Sequence, residues 1–308
     1  MAISLKGLRS AFNKLNGNDK PNNSPIGVKW NSPGALAALG FLGIMSIYFL
    51  LPLYYLGIST TKDNTDLFSS NGLWFGHFNL VQNLQQLFAR ENGIFLQWME
   101  NTVIYAFLGA AVGTLISVMS GYALAKYVFR GRNLIFGLVL GAVLVPATTL
   151  ALPLYLLESK LGIIHWGIFA FLLPNLINPL GVYLARVYSH ASVADDLISA
   201  ARIDGAGELR IFMRIALPIL LPGMVTIFLF QFIAIWNNYF LALVLISDEK
   251  LYPVNLGLTT WNFDPASHEL LYNLIVTGSF ISIVPLIIMF LFLQRYWRAG
   301  LTFGSTTG

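Results

Sequence analysis

The sequence predicts an all-α membrane protein with six transmembrane helices and both termini on the cytoplasmic side. Three observations predict it. Apolar residues make up 56% of the 308 residues and charged residues only 10%, where a soluble domain carries about 25%, so a water-facing surface cannot be assembled. The charges are also segregated. They leave uncharged windows over residues 30–61, 101–125, 133–157, 161–185, 215–247 and 270–294, each able to hold the roughly 20 residues that cross a hydrocarbon core. Finally, the basic residues are one-sided. With both ends cytoplasmic, the inner segments carry Lys6, Arg9, Lys14, Lys20, Lys29, Lys126, Arg130, Arg132, Arg186, Arg202, Arg210, Arg214, Arg295 and Arg298. The outer segments carry only Lys62, Arg90, Lys160 and Lys250, the expected positive-inside bias.

Taken in order, residues 1–30 read as a polar cytoplasmic tail rich in Asn, Lys, Ser and Gly, with a weak amphipathic helix over 3–15. Residues 31–308 read as the transmembrane domain. Backbone groups in lipid must be satisfied within the segment, so the uncharged windows are helices. The first external loop, about 58–100, is the longest, and Trp74, Phe75, Phe78, Leu80, Leu84 and Leu87 suffice for a short interfacial helix. Spans two to six contain Pro146, Pro153, Pro174, Pro179, Pro222 and Pro285, with Gly109, Gly113, Gly121, Gly137, Gly141 and Gly278. Small residues allow close helix approach, and proline frees carbonyls and bends helices. The last external loop offers Tyr252, Trp261, Phe263 and Asp264, either as docking points for an external partner or as interfacial anchors.

The segment between spans four and five, about 192–214, is longer than a connector requires. Ser192 with Asp195 reads as a capping-box-like helix start, and Asp195 and Asp196 complement the helix dipole. Gly205 and Gly207 interrupt the helix, a second begins near Glu208, and Pro218 marks the approach to span five. The product is a helix-turn-helix along the cytoplasmic surface. On physical grounds it is either a partner's seat, with Ala200 and Ala201 as a shallow spot, or a bent juxtamembrane helix.

Other chemistry finds little support. Cysteine is absent, so disulfides and thiolate metal sites are excluded. His77, His165, His190 and His268 show no ligand spacing. The net charge of +4 resides in short gaps where lipid head groups, rather than nucleic acid, are the neighbours. No Gly-x-x-x-x-Gly-Lys-Ser/Thr phosphate loop occurs, and the spans hold no acid pair for hydrolytic catalysis. The alternative readings are an integral-membrane enzyme or an ion-coupled secondary transporter. The latter normally shows ionisable residues or inverted repeats in its spans.

A family resemblance sharpens this picture. Ala200-Ala201-Arg202-Ile203-Asp204-Gly205-Ala206, followed by Phe212, Ile215, Leu217-Pro218 and Pro222, resembles the EAA loop of ABC importer permeases. The fuller match is to the carbohydrate branch, in the subunit related to the smaller maltose-type permease. Trp236-Asn237-Asn238-Tyr239-Phe240, Asn101-Thr102, Tyr122-Ala123-Leu124-Ala125, Pro153-Leu154-Tyr155 and the ending from Gln294-Arg295-Tyr296 to Gly300-Leu301-Thr302 and Gly304 fit as well. Three positions depart: Ser199 stands where the family has Glu, Ala194 where it has proline, and Thr307 where it has Lys.

The resemblance implies a type I ABC importer permease fold in the inner membrane of a prokaryote. It implies that Asp196, Ser199, Ala200, Ala201, Asp204, Gly205, Ala206, Leu217 and Pro218 form a coupling helix and its transmission to span five. The implied partners are ABC ATPase subunits, which bind ATP and Mg in place of this chain, a second homologous permease and an extracytoplasmic solute-binding protein. A neutral sugar requires amides, hydroxyls and aromatic faces along its path. The candidates are Asn175, Asn178, Gln231, Trp236, Asn237, Asn238 and Tyr239, for which inter-helix hydrogen bonding is the competing role.

Overall fold

The computed structural model describes residues 33–262 and 271–303. The tail over 1–30, Phe263, Asp264 and His268 lie outside the described residues. The chain divides into two compact units, Met1–Tyr55 and Leu56–Gly308. In the first, the described residues belong to one apolar helix, α1 (Pro33–Ser59), which opens on proline and carries Pro52 within it.

In the second unit every element among the described residues is helical. Two short helices, α2 (Asn64–Ser69) and α3 (Leu80–Ala89), precede the first long one, α4 (Ile94–Lys126). After them come α5 (Arg132–Val143), α6 (Ala151–Leu161), α7 (Ile168–Asn175) and α8 (Pro179–Ser192). The chain continues through α9 (Asp195–Ile203), α10 (Glu208–Ile211), α11 (Leu217–Trp236), α12 (Tyr239–Leu245), α13 (Val254–Asn262) and α14 (Tyr272–Phe303).

Helices α1, α4, α14 and the run Glu208–Trp236 are each long and apolar enough to cross a membrane unbroken. The windows 133–157 and 161–185 are not single straight helices. The first is α5 and α6, bent by 102°, and the second is α7 and α8, bent by 41°. Proline explains both breaks. Pro146 and Pro179 offer no N–H to the preceding turn and push the residue before them out of the helical region. Counting each bent pair as one gives up to six crossings, and counting only unbroken helices gives four.

Helix α4 is the axis of the second unit. Gly109, Gly113, Ser117 and Gly121 recur every fourth residue and form one small-residue ridge. A Cβ at Gly109 would strike Ile235, one at Gly113 would strike Gln231, and one at Gly121 would strike Ala185 and the Arg186 backbone. Ser117 in turn lies against Gly181 of α8. The ridge therefore brings α8 and α11 to backbone distance. Helix α5 is fastened to α8 by the Arg186 guanidinium, 3.7 Å over the Phe136 ring.

At the end of the bundle where α4 begins, polar side chains hold the loops. Trp98 Nε1 donates to Glu249 O at 2.8 Å, Asn101 Nδ2 to Lys250 O at 2.7 Å, and Tyr105 OH to Leu251 O at 2.8 Å. The Thr102 hydroxyl accepts the Val254 N–H at 2.7 Å. Asn101-Thr102, a matched pair in the sequence, thus anchors the loop that follows α12. Lys62 and Glu158 read as loop charges in the sequence, yet both are buried; Lys62 Nζ donates to Asn71 O at 2.6 Å. Trp261 is buried too, its ring 5.0 Å from that of Trp98. It packs the interior and offers no exposed docking point.

Candidate functional site

At the other end of the bundle the chain makes the helix-turn-helix foreseen over 192–214, with one correction at its start. Ser192 does not begin the new helix; it ends α8. The N-cap of α9 is Ala194, which makes no side-chain cap. The Asp195 carboxylate turns outward and accepts from Lys126 Nζ at 2.7 Å, and that ammonium holds its pKa below the ordinary aspartate value. Ser199, standing at the Glu position, donates its hydroxyl to Asp195 O at 3.0 Å. Asp196 and Ala200 are exposed.

The two alanines separate. Ala201 is only 8% exposed and packs with Val193, Ile198, Ile211 and Phe212, so Ala200 alone of the pair faces outward. The helix then closes in a Schellman turn. Ala206 N donates to Ala201 O and Gly205 N to Arg202 O, both at 3.0 Å, with Gly205 left-handed at φ 78°. Only glycine adopts that φ without cost. Open space surrounds Gly205, so its identity is set by backbone conformation and not by crowding within the chain.

Two contacts tie this hairpin to the bundle. Lys126 reaches α9 as described. Tyr127 OH donates to Glu208 Oε2 at 2.8 Å, while Arg202 Nε donates to Glu208 Oε1 at 2.7 Å. Both connections run to the end of α4. The second limb passes through a π-helical turn, Phe212–Ala216, before α11. The wider turn accommodates Pro218, which has no N–H to complete an α-helical bond. Leu217 and Pro218 therefore lie within a continuous helix leading from the hairpin into the apolar segment.

The polar candidates of the apolar segment meet in one seam. Asn178 Nδ2 donates to Gln231 Oε1 at 3.1 Å, Gln231 Nε2 to Asn175 O at 2.8 Å, and Asn238 Nδ2 to Asn175 Oδ1 at 3.0 Å. These bonds join α7, α8, α11 and α12 across two helix breaks. Gly113 and Gly181 leave the room in which Gln231 and Asn178 sit. Asn237 is exposed and bonds its own helix at Ile233 O. Trp236 is 2% exposed and stacks on Phe232, away from open space.

Tyr239 lies elsewhere. With Asn255, Thr259, Asn262 and Ser279 it lines an open cleft of about 460 Å³ between α12, α13 and α14. Every polar group there is uncharged. Sequence reading passed over the last four. Their signal was present, since Asn255, Thr259 and Asn262 recur at helical spacing within an otherwise apolar stretch. Among the described residues, no three His, Asp or Glu side chains gather as a metal site.

The family described as "Binding-protein-dependent transport system inner membrane component" matches residues 113–302. The arabinooligosaccharides transport system permease protein AraQ of Halalkalibacterium halodurans is 35% identical over 94% of this chain and 100% of its own length. The maltodextrin transport system permease protein MdxG of Bacillus subtilis is 29% identical over 87% of this chain and 94% of its own. A crystal structure of a bacterial ABC transporter involved in the import of the acidic polysaccharide alginate contains a chain of the same fold. Its TM-score is 0.75 at 23% identity, covering 89% of this chain and 100% of that one. The chain belongs to the binding-protein-dependent transport system inner membrane component family, and within it is a permease subunit of the carbohydrate ABC importers rather than an enzyme.

Proposed function

We propose that this chain forms half of the transmembrane pathway of an ATP-driven, binding-protein-dependent importer of neutral saccharides. In this reading each bent helix pair is one crossing, giving six spans with both termini cytoplasmic. Residues 1–30 form a cytoplasmic tail and 31–308 the permease domain in a prokaryotic inner membrane. The hairpin around α9 and α10 seats in a separate ATPase subunit, which binds the ATP and Mg. Asp196, Ser199, Ala200, Asp204, Gly205 and Ala206 form the seat or its turn. Ala201, Leu217 and Pro218 connect it to the bundle.

The hairpin is the observation that carries this reading. Its outer face is exposed, its turn is closed by two backbone hydrogen bonds, and it is anchored to both α4 and α11, so a push on α9 is delivered to the membrane segments. Two further observations support the partners and the cargo. Residues 141–150, spanning the 102° break, are all exposed. Irregular backbone at membrane depth is tolerated only against protein or a water-filled path, which a second homologous permease supplies. The cleft beside Tyr239 offers amides, hydroxyls and an aromatic ring without charge, suited to a neutral saccharide such as those named for the arabinooligosaccharide and maltodextrin relatives. An extracytoplasmic solute-binding protein delivers the cargo. The amide seam of Asn175, Asn178, Gln231 and Asn238 braces the helices that move, with Trp236 and Asn237 beside it.

The test uses the complete importer in proteoliposomes with two substitutions at one site. Gly205→Asn keeps a residue that tolerates left-handed φ, whereas Gly205→Val does not. We expect Gly205→Asn to retain most ATP-dependent sugar uptake, and Gly205→Val to lose uptake and binding-protein-stimulated hydrolysis while still inserting. Normal coupled uptake by the valine variant, or uptake with no ATPase present, rules the reading out.

A further inference from the structure

At the end of the bundle away from the hairpin, one loop presents aromatic rings and carries no charge. Residues 67–89 contain no Asp, Glu, Lys or Arg, where a water-facing segment of that length holds about six. Phe68, Trp74, Phe75 and Phe78 are 69%, 66%, 50% and 62% exposed. The charges at the base of the loop point inward, since Lys62 and Asp66 are both buried. The leucines expected to make a short interfacial helix do not supply this surface. Helix α3 turns Asn83 and Leu87 into the interior, and the exposed rings belong to α2 and the loop after it.

Contacts fix the depth of this loop. The Phe68 ring lies 5.3 Å from that of Tyr272, the first residue of α14, and Asn64 Oδ1 accepts the Asn273 N–H at 3.0 Å. The apolar stretch of α14, Tyr272–Gln294, has 23 residues. At about 1.5 Å per residue it runs about 34 Å, close to the roughly 30 Å of a hydrocarbon core. Tyr272 therefore stands at one boundary of the hydrocarbon, with Phe68 beside it. The other rings are held near the same level. The Asp66 carboxylate accepts the His77 N–H at 2.6 Å, Lys62 Nζ donates to Asn71 O at 2.6 Å, and Asn79 N donates to Thr61 O at 2.7 Å. The chain that carries Trp74, Phe75 and Phe78 is thus pinned along α2, which is six residues, or about 9 Å, long.

We propose that Trp74, Phe75 and Phe78, with Phe68, insert into the head-group region of the leaflet at this end, making the loop a membrane-surface anchor beside the spans. Aromatic rings favour that level, where the apolar body meets the upper acyl carbons and the indole N–H reaches water. The loop has no cation, so its attraction to lipid is apolar and indifferent to head-group charge. A solute-binding protein would approach from the aqueous side, above the level that Tyr272 marks; lipid is the neighbour at that level itself. The inference depends on α14 spanning the membrane and not on the saccharide reading.

Spin labelling of the assembled importer in proteoliposomes tests it. Cysteine is absent from this chain, so Trp74→Cys, Phe75→Cys and Phe78→Cys, made singly, each place one nitroxide on it and leave the other rings intact. Collisions with dissolved oxygen are expected to exceed collisions with a water-soluble nickel chelate several-fold at all three positions. The ratio should be the same in phosphatidylcholine and in its mixture with phosphatidylglycerol, and the same with or without the solute-binding protein. A second measurement needs no substitution. Phosphatidylcholine with a photoreactive group near the head of its acyl chain should label peptide 67–89 of the wild-type chain. Free access of both reagents, as in water, overturns the proposal, as does exclusion of both, as in a protein contact. So do nickel exclusion that appears only when the binding protein is added, a ratio that depends on phosphatidylglycerol, and a peptide 67–89 left unlabelled.

Discussion

Gln231 shows how much one side chain organises. It is 4% exposed, accepts from Asn178 and donates to the Asn175 carbonyl, and fits only because residue 113 has no side chain. Hydrogen bonds between membrane helices average about 0.6 kcal/mol, with a maximum near 1.7 kcal/mol. Gln231→Leu is therefore expected to cost about 1–2 kcal/mol in reversible unfolding in mixed micelles. Gly113→Val should cost about 1–3 kcal/mol through overpacking, and an unchanged unfolding midpoint in both variants would remove the seam's structural role. Asp66 makes a second residue-scale case, in the loop after α1. Its carboxylate accepts the His77 N–H at 2.6 Å and faces His77 Nδ1 at 3.1 Å. The backbone hydrogen bond is the main cause that holds its pKa below the ordinary aspartate value. With the folded pKa below the unfolded one, the stabilisation is fully present above the ordinary value and fades as pH falls through the folded value. Hydrogen-exchange protection over residues 66–79 should accordingly hold at neutral pH and fall below about pH 4. In Asp66→Asn that acid step should be absent, whatever the protection at neutral pH.

At the scale of elements, the ridge on α4 and the fastening at its end carry different loads. Gly121→Leu places a branched side chain where Ala185 and the Arg186 backbone already sit, so α4 and α8 must separate. We expect poor accumulation of the inserted protein and a markedly lowered melting temperature, read by fluorescence-detected chromatography after heating. Lys126→Gln keeps most of a buried side chain and removes its contact to a carboxylate that is 82% exposed. With that partner in water the pair contributes about 0–1 kcal/mol, so the melting temperature should fall by no more than a few degrees. What it should change is transmission, seen as sugar-stimulated hydrolysis falling without a fall in basal hydrolysis. A Lys126→Gln importer with fully stimulated hydrolysis would leave the link to α4 with no part in coupling.

For the whole molecule, the exposed break between α5 and α6 implies that the described chain is an incomplete wall. Cysteine is absent from the natural sequence, so a single Leu144→Cys reports cleanly. It should react with a maleimide in the chain expressed alone and be protected in the assembled importer. Equal reactivity in both would show that the second permease does not cover the break.

The sequence by itself determined the solvent, the helical class and the place of the hairpin. These follow from local facts: segregation of charge, runs long enough to cross lipid, and Asp204-Gly205 stopping a helix. It could not show that 133–157 bends by 102°, because a proline in an apolar run is compatible with a kink or with a full turn of the chain. It also could not part Ala200 from Ala201, nor reveal that Asn175, Asn178, Gln231 and Asn238 form one seam, nor gather Asn255, Thr259, Asn262 and Ser279 around Tyr239. Those outcomes depend on which face of each helix meets its neighbour. In a chain this apolar, hydrophobic patterning barely distinguishes an inward face from a lipid-facing one. The choice falls instead to close packing along Gly109, Gly113, Ser117 and Gly121 and to the few polar groups that must find each other, which only the assembled helices can satisfy.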